Sequence, residues 1–196
     1  MNTLKREKIW DPVTRTWHWV LVFSVIVGWG FGEFMTLDNV TWHFYLGYLI
    51  LGLMVFRFGW GLFGPAPVRF KNLLPTASST IEYTKTIPRR SPSGFAGHNP
   101  LGSLWIFALL FLLTAQGITG LFIEEEDLYE NGPLFEYVSE ETSDMLNGWH
   151  SDLSDIILVM VILHVSVLIF YLLWKKENLI KPMVTGWKWI RDDKNN

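Results

Sequence analysis

The chain has no cysteine among its 196 residues. That absence removes disulfides, thiolate metal sites, cysteine-ligated iron–sulfur clusters and the thioether attachment of a c-type haem. Any haem must be held by non-covalent contacts and axial side chains. Charge is scarce where it is costly: of 16 Lys and Arg, only Arg57 lies deep inside a long apolar run, Arg15 standing at the very start of the first. Base is missing altogether from 124–147, a stretch that carries Glu124, Glu125, Glu126, Asp127, Glu130, Glu136, Glu140, Glu141 and Asp144. No small-residue cleavage site follows the first apolar run, so that run is read as a retained helix.

Apolar residues are plentiful instead. A hydrophobic content of 49%, 16% aromatics and a mean hydropathy of +0.22 are too high for an ordinary soluble domain and point to the membrane. Four stretches reach the roughly 20 residues needed to cross a hydrocarbon core: 13–34, 42–63, 101–123 and 149–174. The expected fold is all-α, an integral membrane four-helix bundle forming one domain over 1–196. Asp11 then Pro12, and Asn99 then Pro100, read as N-cap and first helical residue of spans one and three. Gly64, Pro65 and Pro67 stop span two.

The remaining basic residues sort by side. Lys5, Arg6, Lys8 and Arg15 precede or open span one, Arg69, Lys71, Lys85, Arg89 and Arg90 follow span two, and Lys175, Lys176, Lys181, Lys188, Arg191 and Lys194 follow span four. By the positive-inside rule this places both termini and the long middle loop in the cytoplasm of a bacterial inner-membrane protein. The acidic stretch then faces the periplasm.

Four of five histidines, His18, His43, His150 and His164, sit in the spans, where an ionisable group is expensive and points to function. His150 and His164 are 14 residues apart, which is about 21 Å along a helix and within about 40° of one face. Span one runs outward from His18 and span two inward from His43. Depth therefore pairs His43 with His150 near the periplasm and His18 with His164 nearer the cytoplasm. Two imidazoles per site, without further protein ligands, suit low-spin haem better than a bare ion, so two haem b groups are expected. Such irons have no open position and favour electron transfer.

The 14-residue interval recurs elsewhere. Gly32 follows His18 by that distance and Arg57 follows His43, so each stands at the level of the other pair. Glycine admits close approach to the macrocycle, although glycines in membrane helices are usually packing contacts. Arg57 and Arg15 are candidates to hold propionates of the cytoplasmic-side haem. His98, ahead of span three, is badly placed as an axial ligand and reads as a loop residue capping structure, with a quinone or propionate contact as the alternative.

The segments Trp10-Asp11-Pro12-Val13-Thr14-Arg15-Thr16-Trp17-His18-Trp19, Trp42-His43 with Gly47, Phe56-Arg57-Phe58-Gly59-Trp60-Gly61, Gly97-His98-Asn99-Pro100-Leu101-Gly102 and the Glu177 to Gly186 tail resemble the bacterial cytochrome b561 family. That family includes cytochrome b subunits of nickel-iron hydrogenases and relatives in formate dehydrogenases. The resemblance covers nearly the whole chain. It implies a di-haem membrane cytochrome with ligands from spans one, two and four, passing electrons between membrane quinone and a redox partner. The tail motif is most similar to membrane partners of small periplasmic c-type cytochromes, and the chain departs from the shortest members in its longer acidic segment.

Three functions follow as expectations. The first is electron transfer between the quinone pool and a periplasmic c-type cytochrome or oxidoreductase docking on 124–147, whose carboxylates would steer a basic surface. The second is a superoxide:quinone oxidoreductase, which an acidic face disfavours by repelling the anion. The third is a haem-carrying membrane anchor subunit of a hydrogenase or dehydrogenase. Homo-oligomerisation is compatible with each, nucleic-acid binding is not expected, and ion transport lacks paired carboxylates within a span.

Overall fold

The computed structural model describes residues 4–125 and 130–191. Glu126 and Asp127 of the acidic stretch and Lys194 of the tail lie outside the described residues. In chain order the elements are β1 (Leu4–Lys8), α1 (Pro12–Glu33), α2 (Val40–Phe63), α3 (Phe70–Leu73), α4 (Ala77–Thr84), α5 (Pro100–Gly120), β2 (Glu124–Glu125), β3 (Glu130–Asn131), α6 (Glu140–Leu173), α7 (Ile180–Thr185) and β4 (Trp187–Arg191). The chain is mostly helical, and α2, α5 and α6 are each long and apolar enough to cross a membrane. At 22 residues α1 has the length, but Thr14, Arg15, Thr16, His18 and its Gly and Trp residues dilute its apolarity.

Local chemistry explains where the helices begin. The Asp11 carboxylate accepts from the backbone N–H of Thr14 at 3.0 Å, and the Asn99 carbonyl oxygen accepts from that of Gly102 at 2.8 Å. Each satisfies a donor that the first turn leaves orphaned. Helix α6 starts at Glu140, well before the apolar stretch. Ser139 caps it, its hydroxyl accepting from Thr142 N–H at 3.3 Å, and Glu140 and Glu141 suit the positive end of the helix dipole. Its 34 residues span about 51 Å, more than the roughly 30 Å of a hydrocarbon core, so part of it must lie outside. Helix α5 stops at Gly120 because the chain turns there, with Leu134 N–H bonding the Leu121 carbonyl at 2.8 Å.

Backbone contacts divide the chain into two compact units, and all four long helices contribute to both. The first comprises Met1–Trp17, Gly59–Phe107 and Ile162–Asn196. Its core is Ile9, Trp10 and Val68, packed against Trp60, Ala96 and Met183. Here β1 and β4 pair antiparallel, a ribbon that a hydrophobic-alternation reading misses because β1 is Leu-Lys-Arg-Glu-Lys. The loop after α4 is fastened to the end of α6. Lys175, only 1% exposed, donates to the carbonyls of Thr86, Arg89 and Ser91 at 3.2, 3.3 and 3.4 Å. The indole of Trp174 donates to the Pro88 carbonyl at 3.1 Å. Tyr83 and Tyr171 hydrogen-bond through their hydroxyls.

The second unit comprises His18–Phe58 and Ala108–Val161. Ser24, Val40, Met54, Leu110 and Leu113 are buried in it. Gly117 lets α5 approach α2 closely, since a Cβ there would lie 2.6 Å from Leu51 Cδ2. The β2–β3 hairpin is tied to α6 by Glu124 N–H donating to Ser143 Oγ at 2.9 Å.

Candidate functional site

His43, in the first turn of α2, and His150, in the N-terminal third of α6, come together in the second unit. Their ring centroids are 6.2 Å apart with planes at 74°. The Nδ1 of His43 lies 3.0 Å from the carbonyl oxygen of Gly28. A carbonyl can only accept, so Nδ1 carries the hydrogen and Nε2 keeps its lone pair. The Nδ1 of His150 lies 3.1 Å from Thr119 Oγ1. The Thr119 hydroxyl hydrogen is directed at the carbonyls of Ala115 and Gln116, 3.0 and 2.9 Å away, which leaves its oxygen to accept from His150. Both rings are thus fixed in one tautomer, each with Nε2 available as a metal ligand.

This donor set fits haem. A metal–imidazole bond is about 2 Å, and a ring nitrogen sits about 1.1 Å from its centroid, so one metal between two imidazoles separates the centroids by about 6 Å. Among the described residues no group of three or more His, Cys, Asp or Glu is placed to hold a bare ion. Two imidazoles suffice for an iron whose other four donors belong to a porphyrin. Each Nδ1–H donating to an outer partner also orients its ring and strengthens it as a ligand.

Two glycines make room for the rings. A Cβ at Gly32 would lie 3.1 Å from His43 Cε1, and one at Gly120 would lie 2.9 Å from His150 Cε1. Of these neighbours only Gly32 was singled out by spacing. Gly28 stands one turn before it on the same face, and Thr119-Gly120 closes a helix that has no histidine. Their signal was faint because a backbone carbonyl and a lone threonine look ordinary in a membrane helix.

The other candidates fall as follows. His18 belongs to the second unit and His164 to the first, each half-buried in its helix. Arg57 is 5% exposed, within α2. In the first unit, Arg15 donates through Nη1 to the Val184 carbonyl, so part of its fork braces the end of α7. The His98 ring packs at 4.7 Å from that of Trp10. The Trp60 indole donates to Thr14 Oγ1 at 3.1 Å, and the Thr14 hydroxyl donates to Asp11. The Trp10 to Arg15 motif therefore builds the packing at the start of α1.

A sequence model of prokaryotic cytochrome b561 matches residues 9–186. The chain belongs to the prokaryotic cytochrome b561 family. Similar curated proteins include the probable Ni/Fe-hydrogenase B-type cytochrome subunits of Azotobacter vinelandii, 25% identical over 95% of this chain and 90% of that one, and of Rhizobium leguminosarum bv. viciae, 24% identical over 94% and 89%. A third, of the same description, is from Cupriavidus necator, 23% identical over 97% and 90%. No solved structure gives a significant match. As a cytochrome b561 the chain is a membrane-integral b-type cytochrome that binds haem and transfers electrons. The imidazole pair of α2 and α6 has the chemistry that haem b requires.

Proposed function

We propose that this cytochrome b561 carries two haem b groups, one held by His43 and His150 and one by His18 and His164, and moves electrons across the membrane between quinone and a redox partner. The observation that carries the reading is the His43–His150 pair, two imidazoles 6.2 Å apart whose Nδ1 atoms are both occupied by outer partners. The 14-residue interval that separates His150 from His164 on α6 supports a second pair with His18. Bound haem iron supplies one-electron chemistry, alternating between ferric and ferrous. The chain's residues would contribute the rest: paired imidazoles to hold the iron, glycines that leave room for the imidazole rings, and Arg57 and Arg15 as positive partners for propionates. Gly32 serves the periplasmic-side site by leaving space beside His43.

The relatives named as hydrogenase cytochrome subunits favour a role as the haem-bearing membrane subunit of an oxidoreductase complex. A periplasmic c-type cytochrome is the second reading, motivated by the exposed Glu136 just before α6 and Glu140, Glu141 and Asp144 at its start. Both place the partner on the acidic face and leave the membrane quinone to exchange nearer the His18–His164 end.

The test is haem stoichiometry and potentiometry on the purified holoprotein. Two haems per chain are expected, falling to one in His150→Ala and in His43→Ala, with the surviving haem still reduced by added quinol. Two haems retained in either variant would overturn the pairing.

A further inference from the structure

The ribbon formed by β1 and β4 lies outside the family match, which covers 9–186. Its two faces differ. Residues directly opposite in an antiparallel pair point the same way, so Arg6 shares a face with Trp189 and Lys8 with Trp187. All four are exposed, Trp189 by 60%, whereas Glu7, Lys188 and Ile190 on the opposite face are partly covered. The Arg6 guanidinium lies 4.7 Å from the centre of the Trp187 ring. Among the described residues, no carboxylate is exposed on this outer face.

The inner face fixes where the ribbon stands. Lys188 ion-pairs with Glu177 at 2.7 Å and donates to the Phe95 carbonyl at 2.7 Å. Glu177 N–H in turn donates to the Tyr171 carbonyl, in the last turn of α6, at 3.0 Å. On the β1 side, Ile9 N–H and Trp10 N–H both donate to the Gly186 carbonyl, at 2.9 and 3.2 Å. The ribbon is therefore anchored where a membrane-length helix leaves the apolar layer.

We propose that the outer face of this ribbon, Arg6, Lys8, Trp187 and Trp189, binds the phosphate headgroups of anionic lipids in the leaflet at that end of α6. Charge complementarity selects the partner. Two exposed cations with no acid between them among the described residues attract a phosphodiester, and each Lys or Arg near an anionic surface adds to that attraction. The two indoles suit the same zone, where an amphipathic ring keeps its N–H wet and its body apolar. A soluble polyanion would satisfy the cations and leave the indoles in water.

The test uses the full-length holoprotein in zwitterionic detergent–lipid micelles titrated with phosphatidylglycerol or phosphatidylcholine, with bound lipid counted by native mass spectrometry. Retention of phosphatidylglycerol over phosphatidylcholine is expected, weakening about tenfold or more in Arg6→Gln/Lys8→Gln, and restored by Arg6→Lys with Lys8 intact. Trp187→Leu/Trp189→Leu should weaken retention of both lipids. An unchanged haem spectrum certifies each variant as folded. Equal retention of the two lipids by the wild type, or an unaltered preference in the charge variant, would overturn the proposal.

Discussion

At the scale of single residues, the proposed ligation of haem by His43 and His150 rests on outer atoms that hold the imidazoles. Thr119 spends its hydroxyl hydrogen on its own helix and offers its oxygen to His150. Thr119→Val keeps the shape and removes this acceptor, leaving the His150 N–H with the Gln116 carbonyl alone. Outer-partner losses of this kind weaken metal hold about 10–100-fold, and a loss falling wholly on the ferric state corresponds to about 60–120 mV for a one-electron couple. The potential of one haem should rise by that order in a redox titration, while Thr119→Ser leaves it near the wild-type value. Gly120→Ala should disturb the same haem by pushing on the ring, since its Cβ would lie 2.9 Å from His150 Cε1. Loss or broadening of one Soret component on purification would report it. The histidines were legible as costly residues in apolar runs. Thr119 and the Gly28 carbonyl were not, because neither is unusual until an imidazole is beside it.

Among the elements, the end of α6, α7 and the terminal ribbon act together. Burial alone would push the Glu177 carboxyl up, yet the Lys188 ammonium and the Ser93 donors outweigh it and hold it below its ordinary value of 4.5. A lowered folded-state value means that the contribution to stability is complete above about pH 4.5 and is lost as pH falls through the folded value. Thermal unfolding of the wild type should therefore steepen in its pH dependence below that point, and Glu177→Gln should flatten the curve there. Gly186 closes α7 with φ at 84°, and a Cβ on it would lie 2.8 Å from the Trp10 carbonyl oxygen. Gly186→Ala should destabilise the first unit by about 1–3 kcal/mol, seen as earlier melting with the haem spectrum at low temperature unchanged. Sequence located the long helices to within a few residues at most ends. It placed the start of α6 too late, because the apolar pattern marks what the bilayer covers and not where backbone hydrogen bonding begins.

For the whole molecule, charge is segregated along the sequence. Fifteen of the 16 Lys and Arg lie in segments assigned to one side by sequence, and the 124–147 stretch holds none. If the acidic face receives a basic redox partner, electron transfer to that partner should slow as salt rises. Replacing Glu136, Glu140, Glu141 and Asp144 with Gln should lower the association rate about tenfold or more at low ionic strength, with both potentials unchanged. Stopped-flow haem reoxidation measures this. A rate indifferent to salt and to the substitutions would move the docking surface elsewhere on the molecule.

By itself the sequence determined the membrane class, the family and the identity of the costly histidines, because a hydrocarbon environment tolerates few polar groups and each one stands out. Only the tertiary structure decided which atoms surround the rings of His43 and His150, and that Nε2 is the nitrogen left to bind. It also decided that the two ends of the chain meet in a ribbon. Tautomers, glycine clearances and strand pairing depend on distances between residues far apart in the chain, such as Lys8 and Trp187. Apolar periodicity carries no record of them.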